Sequence, residues 1–229
     1  MPMQGPLLIF LAVAAYGALH SLLASNRAKQ AFRRTFGQSI YRFYRIFYNI
    51  VGGLTFLPVL VIAALDPGQT VYYLTWPWTL LAYAGQFLAI ILLLLGLYQT
   101  DSLYFLGFRQ ITQPGAPEPS DLEISGLYCR VRHPLYSAGL LFIWLTPIMT
   151  TSVLAINLSL TLYILIGSIF EERRLVSQFG QAYVDYQKRV PRLIPLPGRC
   201  YTPDQVGHKS NPWLGNSPPI DTLSKALVA

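Results

Sequence analysis

Two groups of ionisable residues flank apolar runs, and their types set the chemistry open to this chain. Arg130-Val131-Arg132-His133-Pro134 leads into one apolar stretch, and Glu171-Glu172-Arg173-Arg174 follows another. If the two stretches form an antiparallel helical hairpin, both groups come to the same end of neighbouring helices. The result is a polar site of both signs at a membrane surface, where clustered ionisable residues carry a functional hypothesis. The same residues can also act only as an interfacial ion-pair cluster that pins the hairpin ends. Both readings stay open on these residues alone.

Other chemistries find little support. His20 is a lone histidine near the end of an apolar run and reads as a satisfied interfacial residue. His133 and His208 have no Cys or His neighbour at metal-ligand spacing, so no metal is expected. No Gly-x-Gly-x-x-Gly turn and no lysine-bearing phosphate loop is present. Asp101, just past the third apolar run, can face the site or simply be solvated, and the solvated reading is preferred.

The elements that would position the two groups follow from composition. Of 229 residues, 53% are apolar and only 12% charged, with a mean hydropathy of +0.40. A soluble domain carries about a quarter charged residues, and a disordered chain would be poor in apolar residues. Two cysteines cannot build a disulfide framework. The expectation is an all-α polytopic membrane protein. The net charge of +7 fits basic cytoplasmic loops rather than a nucleic-acid partner.

Five stretches approach the roughly 20 apolar residues that a membrane-crossing helix needs. They run over about 6–24, 46–65, 78–98, 135–149 and 152–170. The first lacks a basic leader and a cleavage pattern, so it reads as a retained span rather than a signal peptide. Only Thr150 and Thr151 separate the last two, which predicts a tight helical hairpin turning at Pro147 and the threonines. All seventeen Lys and Arg residues fall on one side of this five-span arrangement. Positive charge stays in the cytoplasm, which puts the N-terminus outside and the C-terminus inside. Cys129 and Cys200 then face a reducing compartment and are expected as free thiols.

Residues 100–133 form a long connection broken by Pro114, Gly115, Pro117 and Pro119. From Glu171 the last span is expected to continue beyond the membrane, break at Gly180 and resume as a short amphipathic helix ending near Val190-Pro191. Residues 1–197 read as the membrane domain, with 198–229 a loosely ordered tail.

Gly126-Leu127-Tyr128-Cys129-Arg130-Val131-Arg132-His133-Pro134-Leu135-Tyr136 resembles the Gly-x-Tyr-x-x-x-Arg-His-Pro-x-Tyr motif of the isoprenylcysteine carboxyl methyltransferase superfamily. Glu171-Glu172-Arg173, Phe179-Gly180-x-x-Tyr183-x-x-Tyr186 and Val190-Pro191-Arg192-Leu193-Ile194-Pro195 resemble its C-terminal block. Within the superfamily, Leu106-Gly107-Phe108-Arg109-Gln110 and Trp144-Leu145-Thr146-Pro147-Ile148-Met149-Thr150 are most like the methanethiol S-methyltransferase branch. His20-Ser21-Leu22-Leu23-Ala24-Ser25 also resembles NnrU-type membrane proteins, which would make a non-catalytic accessory factor the rival reading.

The resemblance implies S-adenosylmethionine as methyl donor, in a cytoplasmic pocket within a core of about residues 100–197. The cofactor contacts it implies are Gln113, Leu122 and Glu123 of the loop, Tyr128, His133, Pro134, Leu135, Tyr136 and Glu171. A cation–π contact between sulfonium and an aromatic face is worth roughly 0.5–2 kcal/mol. Methyl transfer needs alignment, which can supply about 7–11 kcal/mol. A thiol acceptor, with an unperturbed pKa of about 8.5, must also ionise, and Arg132 or His133 is the expected catalytic aid. The superfamily's prenylcysteine enzymes carry an arginine about one turn before the glutamate, where this chain has Gly167. A small or apolar thiol entering from the bilayer is therefore ranked above a prenylcysteine carboxylate or a lipid amine.

Overall fold

The structure, a computed structural model, describes residues 4–100, 102–113, 122, 124–195, 200 and 201. Its elements run α1 (Gln4–Ala24), α2 (Asn26–Tyr41), α3 (Tyr44–Leu65), β1 (Thr70–Tyr73), α4 (Trp78–Gln99), α5 (Ser102–Leu106) and α6 (Phe108–Thr112). After the long connection come α7 (Pro134–Trp144), β2 (Ile148–Thr150), α8 (Thr151–Phe179) and α9 (Gln181–Arg189). Helices α1, α3, α4 and α8 are each long and apolar enough to cross a membrane. Their outer faces carry exposed Leu, Ile and Phe, as lipid-facing helices do. This is a polytopic helical membrane protein, as its composition predicts.

The helices meet through small residues. Ala82, Ala89 and Gly96 are the buried positions of α4, seven apart, and α7 packs on this helix. A side chain at Gly96 would sit 2.9 Å from Leu135 Cδ2, and one at Gly17 would sit 2.9 Å from the Tyr163 ring. Lipid supplies no hydrophobic drive between helices, so close backbone approach is what earns dispersion contact. Ile9, Val13, Val59, Ala155 and Ile156 form the apolar core between α1, α3 and α8.

The expected fourth span is corrected by the structure. Its helix stops at Trp144, and Ile148–Thr150 instead pair antiparallel with β1, with Tyr72 opposite Met149. Eleven helical residues cover about 16 Å, too little for a hydrocarbon core of about 30 Å. The six residues that follow add up to about 20 Å if extended. Ending a helix early in a membrane is costly unless the freed carbonyls are paired. Here Gln86 of α4 donates to Phe142 O at 3.1 Å and Asn157 of α8 donates to Ile143 O at 2.8 Å. Thr150 then caps α8, accepting from Val153 N at 3.3 Å, so the threonines start a helix rather than close a tight turn.

Two further features depart from expectation. Residues 26–41 form α2, a basic helix capped by Ser25, where only a basic link is expected. Cys129 and Cys200 are joined in a disulfide, with Cα atoms 4.9 Å apart, so the expectation of free thiols is corrected. The physical reason is local. Tyr201 N–H donates to Cys129 O at 3.1 Å, and its ring packs on Tyr186 at 5.7 Å, which brings the neighbouring Cys200 into bridging range.

The C-terminal block follows its expected course. Gly180, at φ 59° and ψ −135°, takes a positive-φ conformation open to glycine, which ends α8, and α9 begins at the next residue. Tyr183, Tyr186 and Val190 are buried against Leu122, Ile124, Leu175, Val176, Phe179 and Tyr201. The Tyr186 hydroxyl donates to Tyr128 O. Of residues 198–229, expected as a loose tail, Cys200 and Tyr201 are instead held to the core by the disulfide and the Tyr201–Cys129 backbone bond, and 198, 199 and 202–229 lie outside the described residues.

Candidate active site

Pro134 opens α7 at a position where its missing N–H costs nothing. The two residues before it run beside the segment after α9. Arg132 N–H donates to Pro191 O at 2.9 Å and His133 N–H donates to Arg192 O at 3.1 Å. The Ser137 hydroxyl adds a bond to Leu193 O at 2.5 Å. The two sequence blocks are therefore joined by backbone pairing before any ion pair forms.

Adjacent residues on a helix point about 100° apart, and this separates the two glutamates. Glu172 is turned inward, its side chain 5% exposed, and gathers four partners. Arg132 Nε donates to its Oε1 at 2.7 Å, and His133 Nε2 lies 3.2 Å from the same oxygen. Gln187 Nε2 donates to Oε2 at 3.1 Å, and Arg192 stands 3.3 Å away. Arg132 also donates from NH1 to Gln187 O at 2.8 Å and to Val190 O. Its guanidinium thus covers carbonyls at the C-terminal end of α9, where positive charge complements the helix dipole. The apolar part of α8 ends at Phe170, so Glu172 lies beyond it. Burial works against the Glu172 charge, but the Arg132 hydrogen bond and the charges of Arg132, Arg192 and His133 outweigh it. Its carboxyl is held below the usual carboxylate range.

Glu171 is turned toward the open side, with its side chain 39% exposed. The Tyr136 hydroxyl donates to its Oε2 at 2.9 Å, and His133 Nδ1 lies 3.6 Å from the same atom. His133 stands between the two carboxylates and stacks on Tyr136 at 5.3 Å. An open depression of about 350 Å³ is lined by Ile169, Glu172, Arg173, Val176, Gln187 and Arg192.

Arg132, His133, Tyr136 and Glu171 therefore come together. Tyr128 and Leu122 lie against the α9 tyrosines. Pro134 is buried at the start of α7, and Leu135 turns toward Gly96 of α4. Gln113 follows α6, its side-chain oxygen accepting from Arg109 Nε at 3.3 Å. Glu123 lies outside the described residues. Glu172, Gln187 and Arg192 escaped the reading of single residues, because which of two adjacent glutamates is buried depends on how α8 is rotated. The signals were the Glu171-Glu172-Arg173-Arg174 cluster and the Val190-Pro191-Arg192 stretch, neither of which shows what its side chains meet.

The chain is similar to three curated relatives in particular. Methanethiol S-methyltransferase 1 of Bradyrhizobium diazoefficiens is 30% identical over 193 residues, covering 81% of this chain and 65% of the relative. Methanethiol S-methyltransferase 2 of the same organism is 40% identical over 125 residues, covering 55% and 44%. Methanethiol S-methyltransferase of Pseudomonas deceptionensis is 43% identical over 83 residues, covering 36% and 32%. The chain thus spans between a third and two thirds of the length of these relatives. No family model and no solved structure matches it. The similarity to proteins of this name supports a methyltransferase of that branch.

Proposed function

We propose that the chain is a membrane-embedded, S-adenosylmethionine-dependent methyltransferase that S-methylates a small thiol. The similarity over 81% of its length to a methanethiol S-methyltransferase carries this reading. The residues around Glu171 fit the donor. A half-exposed carboxylate suits a cationic group, and the stacked His133 and Tyr136 rings stand beside it. When bound, the donor supplies an electrophilic methyl on a sulfonium. Glu171 holds the cationic part, Tyr136 keeps that carboxylate oriented, and His133 fixes the distance between the two glutamates. Arg132 is a positioning residue, since its Nε and NH1 are already engaged. Gln113, Leu122, Glu123, Tyr128, Pro134 and Leu135 complete the proposed cofactor-binding core of residues 100–197.

The acceptor is a thiol rather than a carboxylate. At Gly167, one turn before Glu171, a side chain would meet open space, so no cation stands where the resemblance would put one. Arg192 is paired with Glu172, and Arg173 lies over the Phe170 ring at 5.6 Å. A carboxylate entering without a partner faces a desolvation penalty of several kcal/mol. The test is labelled methyl transfer in proteoliposomes offered methanethiol and a farnesylcysteine analogue side by side. Thioether from the thiol is expected. Base-labile ester on the prenylcysteine alone would reverse the assignment.

The orientation we propose has the N-terminus outside and the site in the cytoplasm, because α7 with the residues up to Thr150 still makes a fifth passage. A reporter active only outside the cytoplasm, fused after Ala229, is expected to be silent. Activity there would put the Cys129–Cys200 bond in an oxidising compartment and invert the arrangement.

A further inference from the structure

We propose that the depression beside Arg173 and Arg192 holds the phosphate of one anionic phospholipid, whose acyl chains lie along the exposed face of α8. The inference stands apart from the methyl-transfer reading. Leu158, Leu162, Leu165 and Ile169 of α8 are all exposed. Steps of three and four residues put them on one face of the helix, and the same steps continue to Arg173 and Val176. Ile169, Arg173 and Val176 line the depression, so this apolar stripe runs directly into it. The apolar part of α8 ends at Phe170, and Arg173 and Val176 stand about 4.5 and 9 Å further along the axis. The headgroup layer is about 5–8 Å deep on each side of a bilayer. The depression therefore opens at the depth where phosphates lie.

The charges of the lining favour an anion. Glu172 is its one acid, and that carboxylate is already met by Arg132 at 2.7 Å and by Arg192 at 3.3 Å. Two arginines on one carboxylate leave positive charge over, and Arg173 adds more. The Arg173 guanidinium lies over the Phe170 ring at 5.6 Å. Stacking uses the face of a guanidinium and leaves the N–H groups of its edge for an acceptor. The Arg192 side chain is 37% exposed, and its Nε has no acceptor among the described residues. Phosphate oxygens match such donor forks. A volume of about 350 Å³ suits a headgroup while the chains stay outside. A soluble anion would leave Ile169 and Val176 without a use, whereas a lipid covers them.

The lipid is a resident ligand and not a methyl acceptor. Arg173 follows Glu171 by two residues, about 200° round the helix. An anion in the depression and a donor held by Glu171 thus lie on different faces of α8. The phosphate joins Arg173 of α8 to Arg192 of the segment after α9, and so adds a tie between the C-terminal block and the helix that carries both glutamates.

The test is lipid binding to the full chain in detergent, followed by native mass spectrometry. Dioctanoyl phosphatidylglycerol is expected to fill one site per chain, about tenfold more tightly than dioctanoyl phosphatidylcholine. Arg173→Gln should weaken phosphatidylglycerol about tenfold, and Arg173→Lys should recover part of the loss. Arg174→Gln removes the same charge from the next residue, which is outside the lining, and should leave the affinity unchanged. At about a hundredfold excess over Kd, phosphatidylglycerol should also raise the melting temperature of the wild type by several degrees, and that of Arg173→Gln by less. Equal affinity for the two lipids in the wild type overturns the inference, as does unchanged binding in Arg173→Gln or an equal loss in Arg174→Gln. Displacement by inorganic phosphate at the same concentration would make this a site for free anions. Displacement by adenosylhomocysteine would give the depression to the donor, and either result overturns the lipid assignment. None of these outcomes decides whether the protein methylates thiols, which the proteoliposome assay reads separately.

Discussion

Glu172→Leu is expected to lower the apparent melting temperature of the detergent-solubilised protein by on the order of 10 °C. The substitution leaves Arg132, whose side chain is only 9% exposed, without its carboxylate, and it also frees Arg192 and Gln187. Removing one partner of a buried pair costs about 3–5 kcal/mol, because the remaining charge stays buried and unpaired. In a chain of this size each kcal/mol moves the midpoint by roughly 2–4 °C. The affected contacts hold α9 and the following segment onto the start of α7, so proteolysis near Gly180 should increase as well. Glu172→Leu combined with Arg132→Met should recover much of the loss, since no unpaired charge is then left inside. Unchanged melting in the single variant would show that the backbone pairing of Arg132 and His133 with Pro191 and Arg192 suffices to hold the block.

Glu171→Gln is expected to weaken adenosylhomocysteine binding about tenfold to a hundredfold, measured by calorimetry, with little change in melting. The charged group is worth more to a cationic ligand than to the fold. Its side chain is partly exposed, and its one hydrogen bond among the described residues comes from the Tyr136 hydroxyl, which a glutamine oxygen can also accept. A hydrogen bond to a charged group contributes about 1.5–3 kcal/mol, which is the basis of the expected range. The neighbouring variants thus give opposite signatures, stability for Glu172 and donor affinity for Glu171. Unchanged affinity in Glu171→Gln would move the donor away from this carboxylate, toward the depression beside Arg173 and Arg192.

The sequence alone determined the membrane class, four of the long helices to within a few residues at most of their ends, and the Gly180 break before α9. These follow from local causes: uninterrupted apolar length, and a glycine where φ must be positive. A likeness to proteins named methanethiol S-methyltransferase was also legible, because it resides in the order of residue types. Only the tertiary structure decided what depends on contact between distant segments. It ended α7 at Trp144, because Gln86 and Asn157 satisfy the freed carbonyls and β1 pairs with residues 148–150. The bond between Cys129 and Cys200 came from the Tyr201 backbone contact, which no compartment argument could anticipate. Which glutamate is buried, and that the His20 ring packs against Gly52, depend on the rotation of α8 and α1 against their neighbours. Rotation about a helix axis is set by packing on all sides at once, and a run of apolar residues with little amphipathic bias does not encode it locally.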